Sequence, residues 1–237
     1  MLLLATITGF VLPLRANADA IRTLNFPASK SMGNLYKLGQ FLPDENGYRY
    51  FRPPLDKARG AVKVPANIKL RLQLSYEGAE DPAPLLKLDC PALISIDGRN
   101  CESVEDKTVQ VLSQLKDLEE LRLDNTDITD KSFEYIRTLP KLICLDVTRT
   151  DLGAQGMEQI KKLAKLKILA IGFNALSDKD FDGIEKLQNI EYIFIARSGI
   201  SDETLKHIAK LKLLRRIDIA DNLKITDKGV EYLTACP

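Results

Sequence analysis

LKDLEELRLDNTDITDKSFEYIRT, residues 115–138, is the stretch that decides how this chain folds. Two periodicities share it. Leu118, Leu121 and Leu123 follow Leu-x-x-Leu-x-Leu, whose last two members alternate with outward positions as in a short strand. Ile128, Phe133 and Ile136 then recur at helical spacing. The same message returns at residues 139–162, 163–186 and 187–210, each of 24 residues. Residues 211–235 repeat it with one residue more, and 90–114 is a weaker copy. Across the six units these six positions give thirty-six sites, of which only Gly98 lacks a full hydrophobic side chain; chance does not produce that. The reading is strand, turn, helix, six times over, coiled into a solenoid.

Between strand and helix each unit carries one ladder position: Cys101, Thr126, Thr150, Asn174, Ser198 and Asn222. A small hydrogen-bonding group belongs there because the turn's backbone groups are buried between coils and must find partners. Ile-Thr-Asp or a near copy follows at Ile128-Thr129-Asp130, Leu176-Ser177-Asp178, Ile200-Ser201-Asp202 and Ile225-Thr226-Asp227. Thr or Ser is a good N-cap, and Asp in the first turn complements the helix dipole. Gly153-Ala154 replaces the pair in the second of the 24-residue units, so its helix start is expected to be the weakest.

This pattern resembles the leucine-rich-repeat family, marked by Leu-x-x-Leu-x-Leu-x-x-Asn/Cys/Thr. The Ile-Thr-Asp step and Cys90-Pro91-Ala92-Leu93 look like its cysteine-containing subclass. The resemblance implies an α/β solenoid, with a parallel sheet lining the concave face and helices outside. Cys236-Pro237 repeats the position of Cys90-Pro91, so the solenoid of residues 90–237 reads as truncated after about six repeats.

Residues 21–89 show no copy of the repeat and read as a small β-rich N-terminal cap, which a solenoid's open first coil needs. One hairpin is expected from Leu35–Leu42 and Tyr48–Arg52, a second from Ala61–Val64 and Ile68–Ser75. Ahead of them, Leu2–Leu14 is an uncharged apolar run followed by Ala16-Asn17-Ala18 and Ala18-Asp19-Ala20. Residues 1–20 thus read as a signal peptide, although no Lys or Arg precedes the run; an ordinary buried strand is the alternative. Export to a periplasm or the exterior follows from the first reading, a cytoplasmic place from the second. No other segment is long and apolar enough to span a membrane. A signal-like start, a cap and Ile-Thr-Asp repeats together resemble secreted bacterial leucine-rich-repeat proteins of the planctomycete type.

Candidate chemistry is thin. Cys90 and Cys236 stand six repeats apart, roughly 29 Å at one strand spacing per repeat, far beyond the ~7 Å a disulfide tolerates. Cys90 and Cys101 flank one extended strand, so no disulfide within the chain is expected. No Cys-x-x-Cys or His-rich cluster points to a metal, and no cofactor motif is present. The single histidine, His207, is expected on a solvated helix face, and no nucleophile–base–acid set can be assembled, so the chain reads as no enzyme. One Asp per coil lacks the dense oxygen cage that calcium needs. Lysine-rich pieces such as Lys161-Lys162 are assigned to solvated helices and turns.

The strand positions pointing away from the core carry three basic and five acidic residues, the wrong sign for nucleic acid. In their midst Cys144, Ile168, Ala170, Tyr192 and Phe194 form an apolar patch, with Arg122, Asp146, Arg216 and Asp218 as its charged rim. An aromatic-centred patch inside a charged rim has the make-up of a protein interface. The expected function is therefore non-enzymatic capture of an unidentified protein or peptide on the concave sheet. Two alternatives stand beside it. The cysteine-containing repeat resembles the substrate-reading half of F-box-like ubiquitin-ligase receptors, although residues 21–89 show no three-helix F-box pattern. A self-associating envelope protein, paired through the patch, is the other.

Overall fold

The computed structural model describes residues 20–38 and 53–234. The apolar run of residues 2–14, the loop and second arm of the first expected hairpin, and Cys236 lie outside them. Within five of the six repeats a short strand is followed by an outer α-helix. The strands are β6 (Leu93–Asp97), β7 (Glu120–Arg122), β8 (Cys144–Asp146), β9 (Ile168–Ala170), β10 (Tyr192–Phe194) and β11 (Arg216–Asp218), all parallel and in register. Leu121, Leu145, Leu169 and Ile193, the middle residues of four of these strands, are buried against the helices. The outer layer holds α2 (Asp106–Leu112), α3 (Asp130–Ile136), α4 (Ala154–Ile160), α5 (Asp202–Ile208) and α6 (Asp227–Leu233). Phe133, Ile136, Met157, Ile160, Leu205 and Ile208 bury their side chains fully. In the last coil Ile217, Ile219, Ile225 and Leu233 are only partly buried.

Ahead of the repeats lie β1 (Ile21–Asn25), β2 (Gly33–Lys37), β3 (Asp56–Lys57), β4 (Ala61–Pro65), β5 (Leu70–Leu74) and the short helix α1 (Tyr76–Glu80). The alternation read over 61–75 is real, since Val62, Val64, Leu70, Leu72 and Leu74 are buried in turn. The pairing differs from expectation: β4 pairs antiparallel with β1, and β5 pairs with β2, so these two strands are no hairpin. Alternation identifies a strand but carries no information about its partner. On its other side β5 runs parallel to β6, so β5, β2 and β3 continue the repeat sheet to nine strands.

The ladder residues meet the demand that placed them. Asn174 Nδ2 donates to the carbonyls of Val147 and Ile171, both at 2.9 Å, while its Oδ1 accepts from Thr150 N at 2.9 Å. Asn222 repeats this one coil pair later, donating to Ile195 O (2.8 Å) and Ile219 O (3.0 Å) and accepting from Ser198 N (2.9 Å). The shorter Thr126 and Thr150 reach a backbone carbonyl only in their own coil, Leu123 O and Val147 O, and Thr150 Oγ1 also lies 3.3 Å from Asn174 Oδ1. Cys101 Sγ lies 4.0 Å from Ser75 O.

The aspartates do more than face their own helix dipole: Asp106, Asp130, Asp178 and Asp202 each serve the next coil. Asp106 accepts from Thr129 N (3.0 Å), Thr129 Oγ1 (2.8 Å) and Ser132 Oγ. Asp178 accepts from Ser201 N (2.8 Å), Ser201 Oγ (2.7 Å) and Thr204 Oγ1 (2.6 Å), and Asp202 from Thr226 N (2.8 Å) and Oγ1 (2.7 Å). Asp130 reaches Gly153 N at 2.7 Å, so α4 begins as regularly as its neighbours despite lacking a hydroxyl cap. The expectation of a weak start there was misplaced by one unit. Ala154 has no carboxylate to offer Ser177, and Asp180 supplies one from within its own turn, accepting from Ser177 N (2.7 Å) and Oγ (2.9 Å). That unit forms two 3-10 turns, Asp178–Phe181 and Ile184–Lys186, instead of a helix. Asp182 (φ −56°, ψ 122°) and Gly183 (φ 81°, ψ 10°) between them make a type II turn, whose second central residue needs the left-handed region that glycine enters freely. Lys161, read as solvated, is buried here: its Nζ donates to Asp182 O at 2.7 Å and pairs with Glu158 at 2.5 Å.

Burial alone would push the Asp178 carboxyl up, but the hydrogen bonds from Thr204 and Ser201 outweigh it and hold the group below the usual carboxylate range. Asp178→Ala is expected to destabilise the chain by about 1–3 kcal/mol in urea unfolding at neutral pH. Asp130→Ala, which releases one donor, should cost less. Because the folded pKa is depressed, Asp178's contribution is present above about pH 4 and lost as the pH falls through the folded value, so the parent and Asp178→Ala should converge in acid.

Candidate binding face of the sheet

The outward residues of the parallel strands form two registered rows. The first runs Ser95, Glu120, Cys144, Ile168, Tyr192, Arg216, and the second Asp97, Arg122, Asp146, Ala170, Phe194, Asp218. The five patch residues are therefore lateral neighbours, as the repeat period requires. They are not equally accessible. Ile168, Tyr192 and Phe194 are half-buried, whereas Cys144 is 2% exposed and Ala170 8%. Desolvation, with the Glu120 charge beside it, pushes the Cys144 thiol up to about 12, so it is held as a neutral thiol. The described cysteines Cys90, Cys101 and Cys144 all carry free thiols.

The rim divides in two. Arg122, expected to be accessible, is buried, its Nε 2.8 Å from Glu120 Oε1. Glu120 is itself fully buried, and it accepts from Ser95 Oγ (2.5 Å) and from Arg71 Nη2 (2.8 Å), a β5 residue outside the repeat register. Asp97 takes a fork-like pair of bonds from Arg99 Nε (2.9 Å) and Nη2 (2.8 Å). Asp124, next along β7's exit, is served less well: Arg99 Nε stands 3.7 Å away, and Asp124 Oδ1 is buried without a hydrogen bond. Asp146 Oδ1 accepts from Thr148 N at 3.3 Å, and Asp218 Oδ1 from Ala220 N at 3.0 Å. Arg216 is exposed, its guanidinium 5.9 Å from the Phe194 ring centre.

A second row, unread in the sequence, borders this face. Asn100, Asn125, Arg149, Phe173, Arg197 and Asp221 each precede a ladder residue and each has a positive φ between 52° and 59°. Phe173 is exposed, with the Arg149 guanidinium 4.7 Å and that of Arg197 5.4 Å from its ring centre, while Arg197 pairs with Asp221 at 2.8 Å. The signal was available: a bulky aromatic occupies a repeat position otherwise held by Asn, Asp or Arg. His207 departs from its reading. It is half-buried, Nε2 3.3 Å from Asp182 Oδ1 and Nδ1 3.6 Å from Glu185 Oε2, against the broken outer turn of the preceding coil.

Desolvation, and then the Asp146 charge, push the Asp124 carboxyl up to about 7. A raised folded pKa means that the unfolded chain gives up this proton first, so Asp124 lowers stability as the pH rises from about 4 to about 7. Asp124→Asn removes that loss. In urea titrations its stability relative to the parent should rise by about 1–3 kcal/mol between about pH 4 and about pH 8.

A leucine-rich-repeat family model matches residues 210–233. No curated protein matches the chain. Among solved structures it is similar to an internalin (inlF) from Listeria monocytogenes str. 4b F2365, at 22% identity and a TM-score of 0.54, over 66% of this chain and 43% of that one. It therefore spans less than half the length of that internalin chain. An internalin C2 from the same strain is 19% identical over 66% of this chain and 73% of its own, with a TM-score of 0.47. The leucine-rich-repeat ectodomain of the receptor kinase SOBIR1 from Arabidopsis thaliana is 21% identical over 49% and 62%, with a TM-score of 0.36. With its registered parallel strands, its polar ladder and one repeat matched by that family's model, the chain has the leucine-rich-repeat fold.

Proposed function

We propose that this chain is a non-catalytic binding module that takes a protein or peptide on the sheet face turned away from its helices, with Ile168, Tyr192 and Phe194 as the contact centre. The observation that carries the reading is the contrast along that face. Its N-terminal half is occupied by ion pairs the chain makes with itself, and its middle offers half-exposed aromatic and aliphatic side chains in lateral register. Apolar groups held on a rigid sheet supply contact area with little ordering cost, and a surrounding charged rim suits an interface. The chemistry on the face favours binding over catalysis, because its thiol is held neutral and Glu120 and Asp97 are paired with Arg71, Arg122 and Arg99. The leucine-rich-repeat fold adds the general expectation of a protein partner. The apolar run and small-residue sites of residues 2–20 support an exported module, periplasmic or extracellular. Among the described residues no helix is long and apolar enough to cross a membrane.

The test is capture from an extract of the source organism by the immobilised full chain, beside Tyr192→Ala/Phe194→Ala. Circular dichroism on both checks that the fold is kept. A protein held by the parent and released by the double variant is the expected result. Equal retention by two folded baits would move the binding surface elsewhere.

A further inference from the structure

The charges beside the apolar centre narrow what can occupy it. Arg71 and Arg122 are committed to Glu120, and Arg99 to Asp97. Asp146, one strand from Ala170 and two from Phe194, has no ion-pair partner among the described residues. One of its oxygens accepts from Thr148 N, which fixes the carboxylate and leaves Oδ2 without a protein partner. Asp124, just past the end of the adjacent strand, has its nearest ion-pair partner in Arg99 at 3.7 Å, and feels Arg122 only across that residue's pairing with Glu120. At the other end of the patch the charges are matched: Arg216 shares its strand with Asp218, and Arg197 is paired with Asp221. The excess of negative charge is thus local to Asp124 and Asp146. Between it and the aromatics lies Ala170, whose short side chain puts no bulk in the path of the methylene stem of a long side chain laid across the row.

We propose that the occupant of this face is an extended protein segment carrying a lysine or arginine two residues from an aromatic or aliphatic side chain. Its cation sits between Asp124 and Asp146, and its apolar group sits on Tyr192 and Phe194. The spacing follows from strand geometry. Residues i and i+2 of an extended chain project to the same side about 7 Å apart, and two strand spacings separate Asp146 from Phe194 by about 10 Å. A flexible basic side chain covers the difference. The cation relieves the mutual repulsion of the two carboxylates, a repulsion already visible in the upward shift of Asp124. This inference rests on the sheet face being the binding surface.

A random linear peptide library displayed on phage and selected against the immobilised full chain tests it. The expected enrichment is Lys or Arg two positions from an aromatic or aliphatic residue. Binding of a selected peptide should fall at least about tenfold on Asp124→Asn/Asp146→Asn and weaken with added salt on the parent. Asn keeps the acceptor for Thr148 N, and circular dichroism confirms that this variant folds. Enriched peptides with no basic preference that still require Tyr192 and Phe194 would overturn the charge inference and leave the binding face standing. Peptides indifferent to Tyr192→Ala/Phe194→Ala, or no enrichment at all, would overturn both.

Discussion

Each coil of this molecule buries a turn whose carbonyls have no strand to pair with, and the structure depends on satisfying them. Asn174 and Asn222 do so for two coils at once, donating to a carbonyl in their own turn and to one in the turn before. An unpaired buried amide or carbonyl costs about 1–3 kcal/mol, a large part of a domain's net stability. The ladder therefore fixes the stacking distance and the register of the coils. Register in turn places Tyr192 beside Ile168 and Phe194 beside Ala170. The binding face is a by-product of how the turns are wired.

The repeat architecture was legible because a solenoid writes its core twice in every unit, at period two in the strand and near three and a half in the helix. Leu121, Leu145, Leu169 and Ile193 are buried where that pattern put them. Lateral neighbours on the sheet were legible for the same reason, since a period of 24 residues is also a register. Accessibility was not. Alternation states which way Cys144 and Arg122 project, but their burial comes from Glu120 and Arg71, and Arg71 lies on a strand outside the repeat period. The N-terminal pairing was illegible for a related cause: β4 and β5 are neighbours in sequence and join different sheets. The left-handed row was missed because no glycine marks it, and the coil imposes that backbone on Arg149 and Phe173 regardless.

Substitutions inside the array also explain one another. Where the preceding coil supplies an aspartate, the third helical residue is a hydroxyl that bonds it, as at Ser132 and Thr204, or a glycine that leaves it room, as at Gly156 and Gly229. Where the preceding coil has Ala154, that third residue is Asp180, which brings the missing carboxylate itself. The two departures from the repeat are one change seen from either side. Read singly, each looks like a lapse in the motif.

The handover of carboxylates also has a direction in time. Asp106, Asp130, Asp178 and Asp202 each accept from a cap that comes later in the chain. A polypeptide emerging N-terminus first therefore presents every acceptor before the donors that need it exist. Growth can follow emergence coil by coil, with no finished coil waiting on an unmade one for this bond. In reverse, peeling from the C-terminal end returns each aspartate to water, where an ionised carboxylate is at ease, so a frayed end strands no buried charge.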